Sequence, residues 1–196
     1  MNSETPALYL ASSSRHRAAL LSKLHLPFQA HSPDVDETPL PGELPGATAR
    51  RLAILKSRAI ADELSRGLVI GSDQVASLNG ERMGKPGTLE QAKKQLLKSA
   101  GQWVTFETGL ALTDAETGRT SSCVDEFRVL FRKITEHQIE RYLKRESALD
   151  CAGSFMSEGY GITLLERMEG NDPNSLIGLP MIRLTLMLRE FGIELP

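Results

Sequence analysis

The chain has 196 residues, 40% of them hydrophobic and 24% charged. That balance suits a globular protein able to bury its own core, and it excludes disordered, collagen-like and membrane-embedded sequences. Lys and Arg total 23 against 25 Asp and Glu, a net charge of -2, which excludes a coat for a nucleic-acid polymer and a polybasic membrane binder.

Residues 7–11 form a short apolar run that reads as a buried strand. Three serines follow, and Ala18, Leu20, Leu21 and Leu24 then recur at helical spacing. The unit is strand, Ser-rich turn and helix, with a serine placed to cap the helix start. A second short strand fits 27–31. Residues 32–46 carry four prolines, two glycines and four acidic residues, so they read as a functional or mobile loop. A helix fits 47–64, with Gly67 just past it as a C-cap signal. Residues 68–70 are again a buried strand, running into Gly71-Ser72-Asp73-Gln74-Val75. Asn79-Gly80 signals a hairpin, and 84–87 signals a further turn. A helix fits 88–100, opened by Thr88. Two long strands, 102–114 and 119–133, read as a hairpin that forms a lobe or a sheet edge. Thr135 caps a helix to about Arg145, a strand fits 159–168, and Pro180 opens a last helix to Arg189. The pattern predicts an α/β fold with a mixed sheet, and one domain over 1–196.

The two cysteines, Cys123 and Cys151, lack CxxC spacing and read as thiols. Residues 1–11 are too short and too weakly apolar for a secretory leader. No run reaches the ~18 apolar residues of a spanning helix. The expected location is cytoplasmic, with no membrane partner.

Three polar clusters follow apolar elements. Residues 12–17 combine hydroxyls, a helix start and two arginines, which is anion-binding chemistry. They equally suit a capped helix with surface arginines. Asp34, Asp36 and Glu37 suit a hard cation such as Mg²⁺, or simply a solvated acidic loop. Asp73 stands beside a glycine where a strand is expected to end, the usual place for a site in an open α/β sheet. It suits a metal, the activation of a water, or only a turn cap. Lys56 and Lys85 are further candidate cations. No Walker A, HExxH, zinc-type CxxC or GxGxxG motif occurs.

Together these stretches resemble the Maf family of nucleotide pyrophosphatases. The resemblance rests on Leu8 to Arg17 with Leu20-Leu21, Val35-Asp36-Glu37, Ala53 with Lys56, and Ile70-Gly71-Ser72-Asp73-Gln74. It extends through Gly84-Lys85-Pro86 and Ala152-Gly153-Ser154-Phe155 to the run from Asp172 to Pro180. It implies an inosine-triphosphate-pyrophosphatase-like fold, with a long twisted mixed sheet, flanking helices and a cleft between two lobes. It implies release of pyrophosphate from a nucleotide substrate with a divalent metal cation, Mg²⁺ or Mn²⁺. On this resemblance Asp73 is the catalytic base, Glu37 and Asp73 hold metal, and Ser12, Arg17, Lys56 and Lys85 bind phosphate. His16, Gln74 and Glu158 set base choice.

The Ser72-Asp73-Gln74 form and the Cys151-Ala152-Gly153-Ser154-Phe155 form resemble the branch acting on 7-methyl-GTP, and Glu158 stands where the dTTP/UTP branch typically has glutamine. A carboxylate can accept both adjacent donors of a guanine edge and favours a cationic base, whereas a glutamine amide better matches uracil or thymine. Arg15 stands where the family usually has proline, and His16 where this branch often has an aromatic. The alternatives are a dTTP/UTP pyrophosphatase on the same scaffold, or a nucleotide-binding regulator of septum formation and cell division. A homodimer is a family-level expectation.

Overall fold

The structure, a computed structural model, describes residues 6–196. In chain order its elements are β1 (Leu8–Ala11), α1 (Arg15–Ser22), β2 (Phe28–His31), α2 (Pro45–Ala61), β3 (Leu68–Leu78), β4 (Glu81–Met83), α3 (Leu89–Ser99), β5 (Trp103–Asp114), β6 (Thr120–Phe131), α4 (Glu136–Arg145), β7 (Leu165–Gly170), α5 (Pro173–Ile177) and α6 (Met181–Glu190), with 3₁₀ turns at Ala152–Ser154 and Tyr160–Leu164. The seven strands make one open mixed sheet in the order β2-β1-β3-β5-β6-β7, with β4 paired to β3. The early strand-helix units do produce parallel pairs, β1 with both β2 and β3. The later strands are antiparallel.

Helix ends follow local chemistry. Ser14, Thr88 and Thr135 all accept a backbone N–H as N-caps, and Thr135 with Gln138 completes a capping box. Asn79 and Gly80 take φ of 52° and 82° at the β3–β4 turn, as a primed hairpin turn demands.

Several boundaries differ from the sequence-based reading. The helix expected at 47–64 starts at Pro45, whose missing N–H is tolerated at a first helical position. It ends with Asp62 as C-cap, so Gly67 does not cap it. Gly67 instead leads into β3, beside Tyr9. The hairpin at 102–133 is neither a separate lobe nor an edge, because β7 adds outside β6. The strand expected at 159–168 begins only at Leu165, after a 3₁₀ turn.

The alternation of β3 explains the layers. Its odd residues face α2. Val69 packs with Ile60 and Ala61, and Gly71 lies under Ala53 and Ser57. Its even residues face the other helices. Ile70 joins the Leu10, Leu21, Leu112 and Leu184 cluster beside α1 and α6. Ala76 joins Leu96, Phe106, Phe131, Ile139 and Phe155 beside α3 and α4. Between these two apolar clusters runs a polar belt. Ser72 donates to the Gly109 and Gly178 carbonyls (2.8 and 2.9 Å). Gln74 and Thr108 both donate to the Ser175 carbonyl (2.7 and 2.8 Å). Buried Ser175 donates in turn to buried Asp125 at 2.7 Å.

Helix α2 sits directly on the sheet because two strand positions lack side chains. A Cβ on Gly71 would come within 2.7 Å of the Ser57 nitrogen and nearer still to the Ala53 carbonyl. One on Gly109 would strike the Ala49 carbonyl and the Arg50 nitrogen. The Ser57 and Thr113 hydroxyls, 2.8 Å apart and buried, fasten the same contact. Gly71→Ala should therefore push α2 off β3 and cost about 1–3 kcal/mol, the usual range for overpacking. A denaturant midpoint equal to that of the wild type would show that the helix can back away freely.

Candidate active site

Strand β1 stops at Ala11, paired with Gly71, whereas β3 runs on to Leu78. From Ser72 onward β3 has therefore lost its parallel neighbour. Asp73 lies there, in mid-strand and opposite Gly109, not at a strand end and not as a turn cap. This corrects the expected position of the carboxylate and keeps its environment, the carboxyl end of a parallel strand in an open sheet. A cleft of about 900 Å³ opens at this point. It is lined by the Ser12 to Arg17 turn, Glu37, Lys56, Asp73, Gln74, Lys85 and Glu158, and also by Arg82, Phe106, Cys151 and Phe155.

Lys56 lies on the buried, sheet-facing side of α2 with Ala49, Leu52, Ala53 and Ile60, and that face turns it toward this opening. Its side chain is only 8% exposed, and its Nζ lies 2.7 Å from Asp73 Oδ1 and 2.5 Å from Glu37 Oε1. One ammonium thus bridges a buried carboxylate on β3 and a loop carboxylate. Desolvation pushes Glu37 up, but the Lys56 hydrogen bond and the charges of Lys56, Lys85 and Arg17 outweigh it and hold Glu37 below its ordinary value. Of the acidic run, only Glu37 makes this contact. Asp36 accepts the Thr38 amide at 2.8 Å in a local turn.

Arg17 and Ser12 form the adjoining wall. Arg17 Nε donates to the Gly178 carbonyl at 2.8 Å, and Nη1 reaches Ser12 Oγ at 3.4 Å. Burial lowers the Arg17 guanidinium, and Asp73 and Glu37 oppose that shift. The Gly178 carbonyl also accepts Ser72, so one oxygen ties α1, β3 and the end of α5 together. Gly178 reaches this position with φ 120°, which ends α5. The adjoining Asp172 carboxylate accepts the Asn174 and Ile182 amides (2.9 and 2.7 Å), holding the starts of both α5 and α6.

The other predicted residues also line the cleft, in different states. Lys85 is exposed. The Gln74 amide nitrogen is taken up by Thr108 and by the Ser175 and Leu176 carbonyls. His16 Nδ1 lies 2.8 Å from Glu158 Oε1. Glu158 is carried on a turn held by Glu146, which accepts the Tyr160 and Gly161 amides at 2.8 and 2.9 Å.

Sequence reasoning missed Arg82, which donates to the Glu43 carbonyl and, at 2.6 Å, to Thr48 Oγ1. It thereby pins the acidic loop to α2. Its signal was its place just after the Asn79-Gly80 turn, on a strand that folds back over β3. The Gly178 carbonyl carried no side-chain signal. Cys123 and Cys151 are both free thiols, as expected.

Among the described residues no group of three or more His, Cys, Asp or Glu side chains could hold a metal. Glu37 and Asp73 alone still fit Mg²⁺, which commonly takes one or two protein carboxylates and completes its shell with substrate phosphate and water. Lys56 holds one oxygen of each carboxylate, Asp73 Oδ1 and Glu37 Oε1, which leaves the second oxygen of each for such an ion.

A charged cleft at the carboxyl end of a parallel strand, flanked by a helix start, defines a site in an open α/β sheet that suits a phosphorylated small molecule. The Maf-like protein family matches residues 7–191, and the chain belongs to that family. It is 51% identical over 187 residues to a protein of Nitrosococcus oceani named 7-methyl-GTP pyrophosphatase, covering 95% of this chain and 94% of that one. Proteins of the same name from a Polaromonas species (50% identity, 96% of this chain and 86% of the relative) and from Aromatoleum aromaticum (51%, 96% and 97%) are similarly close.

The loop carrying Glu37 is held by a further ion pair. Arg51 Nε and Nη2 donate to Glu43 Oε1 and Oε2 at 2.7 and 2.9 Å. These bonds outweigh desolvation and, with the Leu40 amide and Thr48 hydroxyl, hold Glu43 down at about 2. A carboxylate depressed in the folded state stabilises it fully above its ordinary value of 4.5 and loses that contribution as pH falls toward about 2. The Leu40 amide resonance, which reports the bond to Glu43, should therefore move with a midpoint near 2 and not near 4.5. A midpoint near 4.5 would mean that the Arg51 fork does not form in solution.

Proposed function

We propose that this chain hydrolyses a nucleoside triphosphate between its α- and β-phosphates, giving the monophosphate and pyrophosphate, and that 7-methyl-GTP is its preferred substrate. The chain is, by class, a hydrolase of phosphorus-containing anhydrides. The observation that carries the proposal is the meeting of Lys56, Glu37 and Asp73 beside Arg17 and Ser12, within a cleft that also holds Glu158. The name shared by the relatives supports the choice of substrate. One domain suffices for the reaction, since both ends of the cleft come from one sheet and its loops. The cytoplasm supplies nucleotide substrates of this kind.

The mechanism uses residues already in place. Arg17, Lys56 and Lys85 draw the triphosphate in and spread its charge, and Ser12 adds a hydroxyl donor. Asp73 takes the proton from a water that attacks the α-phosphorus, and the bond to the β-phosphate oxygen breaks with pyrophosphate leaving. Lys56 holds Asp73 through Oδ1 and leaves the other carboxylate oxygen for that proton. A divalent cation held by Glu37 and Asp73 would supply further neutralisation of phosphate charge and acidify a bound water. Glu158 accepts the paired N–H donors of the guanine edge, and its charge favours the cationic 7-methylated base. Gln74 acts on base choice through the α5 backbone that it holds.

Pyrophosphate release measured with Mg²⁺ or Mn²⁺ on 7-methyl-GTP, GTP, dTTP, UTP, CTP and ITP should show 7-methyl-GTP preferred. Asp73→Asn should lower kcat by about 10²-fold or more, the scale on which a general base contributes. Near-wild-type turnover in that variant would remove Asp73 from its role. Glu158→Gln should move preference toward dTTP and UTP, and an unchanged preference would make Glu158 a bystander. Binding without release from any nucleotide would favour the reading as a regulator.

A further inference from the structure

The contact between His16 and Glu158 joins two braced elements. His16 lies in the first turn of α1, whose start is capped by Ser14 and whose Arg17 is tied to Gly178. Glu158 stands on the turn that Glu146 holds through two backbone amides, with Arg145 bonded to Tyr160 Oη at 2.8 Å. His16 Nδ1 meets Glu158 Oε1 at 2.8 Å, with the side chains 28% and 33% exposed. Among the described residues, Glu158 Oε2 accepts a hydrogen bond from the Ser157 hydroxyl alone, at 3.4 Å.

A guanine edge offers two adjacent donors, and a carboxylate has lone pairs enough on its two oxygens to accept both while Oε1 also meets His16. Either protonation state of imidazole can donate from Nδ1, but only the cation cancels the carboxylate's charge. A 7-methylated base carries its own positive charge, so it gains most when Glu158 is otherwise uncompensated. Ordinary guanine is neutral and gains much less from that charge.

We propose that His16 is a specificity-tuning partner of Glu158, and that its protonation sets how strongly the site prefers a 7-methylated guanine over guanine. This rests on the reading of Glu158 as the base-recognising group. Preference is weak when His16 is charged and grows as it becomes neutral. The other charged groups around this part of the cleft are Arg15 and Arg17 on α1, Asp150 on the segment after α4, and Glu146 at the end of α4. Burial raises the Cys151 thiol beside them, with Glu158 adding to the shift, so it stays neutral there. Helix α5, packed on α1, consists of Pro173, Asn174, Ser175, Leu176 and Ile177 and presents no charge. Imidazole is the side-chain type whose charge ordinarily changes between pH 5 and 8.

The test is kcat/KM for 7-methyl-GTP divided by that for GTP, between pH 5.5 and 8.5. The N1–H of a 7-methylated guanine titrates in this range too, so the wild-type curve is compared with that of His16→Phe, which keeps the base's contribution. The wild-type ratio should rise about two- to five-fold more than the variant's, the size expected for one partly exposed charge pair. His16→Gln, a neutral donor, should follow the Phe variant, and calorimetric binding of 7-methyl-GMP against GMP should show the same trend. Superimposed wild-type and His16→Phe curves would overturn the coupling. If Glu158→Gln leaves the ratio at its wild-type value at pH 8.5, the reading of Glu158 itself falls. If Glu158→Gln collapses the ratio while the two His16 curves coincide, only the coupling falls.

Discussion

The cleft depends on how closely α2 approaches the sheet. Gly71 and Gly109 lie on adjacent strands and face the same way, and the helix backbone settles into the space their missing side chains leave. Ala49 and Ala53 match them from the helix. At that spacing Lys56 reaches Asp73 from one turn along the helix, and the ammonium enters a site too buried to be neutralised by solvent alone. A helix held a few ångströms higher by ordinary side chains would leave the buried Asp73 without its ammonium partner, a costly state for a buried carboxylate. Packing and electrostatics are here one constraint.

The charges at this site are balanced locally. Lys56 lies between Glu37 and Asp73, Arg17 is engaged by Gly178 and Ser12, and Arg51 is matched to Glu43. Among the cations lining the cleft near Asp73, Lys85 is exposed, whereas Lys56 is buried and Arg17 half-buried. A polyanionic ligand thus meets cations that are already oriented by protein contacts, and gains from them only by exchanging one set of partners for another. That exchange favours a ligand with several negative groups, because a single phosphate cannot replace all the contacts it would disturb.

Much of this arrangement was legible in the sequence. Apolar runs and caps located β1, α1, α3 and α4, and the Asn79-Gly80 turn was unambiguous because so few residues tolerate its backbone. The candidate residues were legible as types, and the structure brings them to one cleft. What the sequence concealed has physical causes. Gly71-Ser72-Asp73-Gln74 has turn-like composition, yet β5 supplies a full ladder of partners, and tertiary pairing overrides local preference. Helix α5 is five residues long, too short for periodicity to register. The 3₁₀ turn at Tyr160–Leu164 keeps an apolar character that looks strand-like from composition. The Gly178 carbonyl is backbone, and no residue type announces it.

That carbonyl has a consequence for biosynthesis. Its bond with Arg17 joins positions 161 residues apart, and its bond with Ser72 spans 106. The chain leaves the ribosome amino end first, so Ser12, Arg17, Lys56 and Asp73 emerge long before the oxygen that fixes Arg17. Until the final tenth of the polypeptide is made, the Asp73 carboxylate and its neighbouring cations exist without the wall that orients them. A nascent or carboxy-terminally truncated chain therefore carries the side chains of the cleft but not their geometry, and the complete wall arrives with the last two helices rather than accumulating along the way.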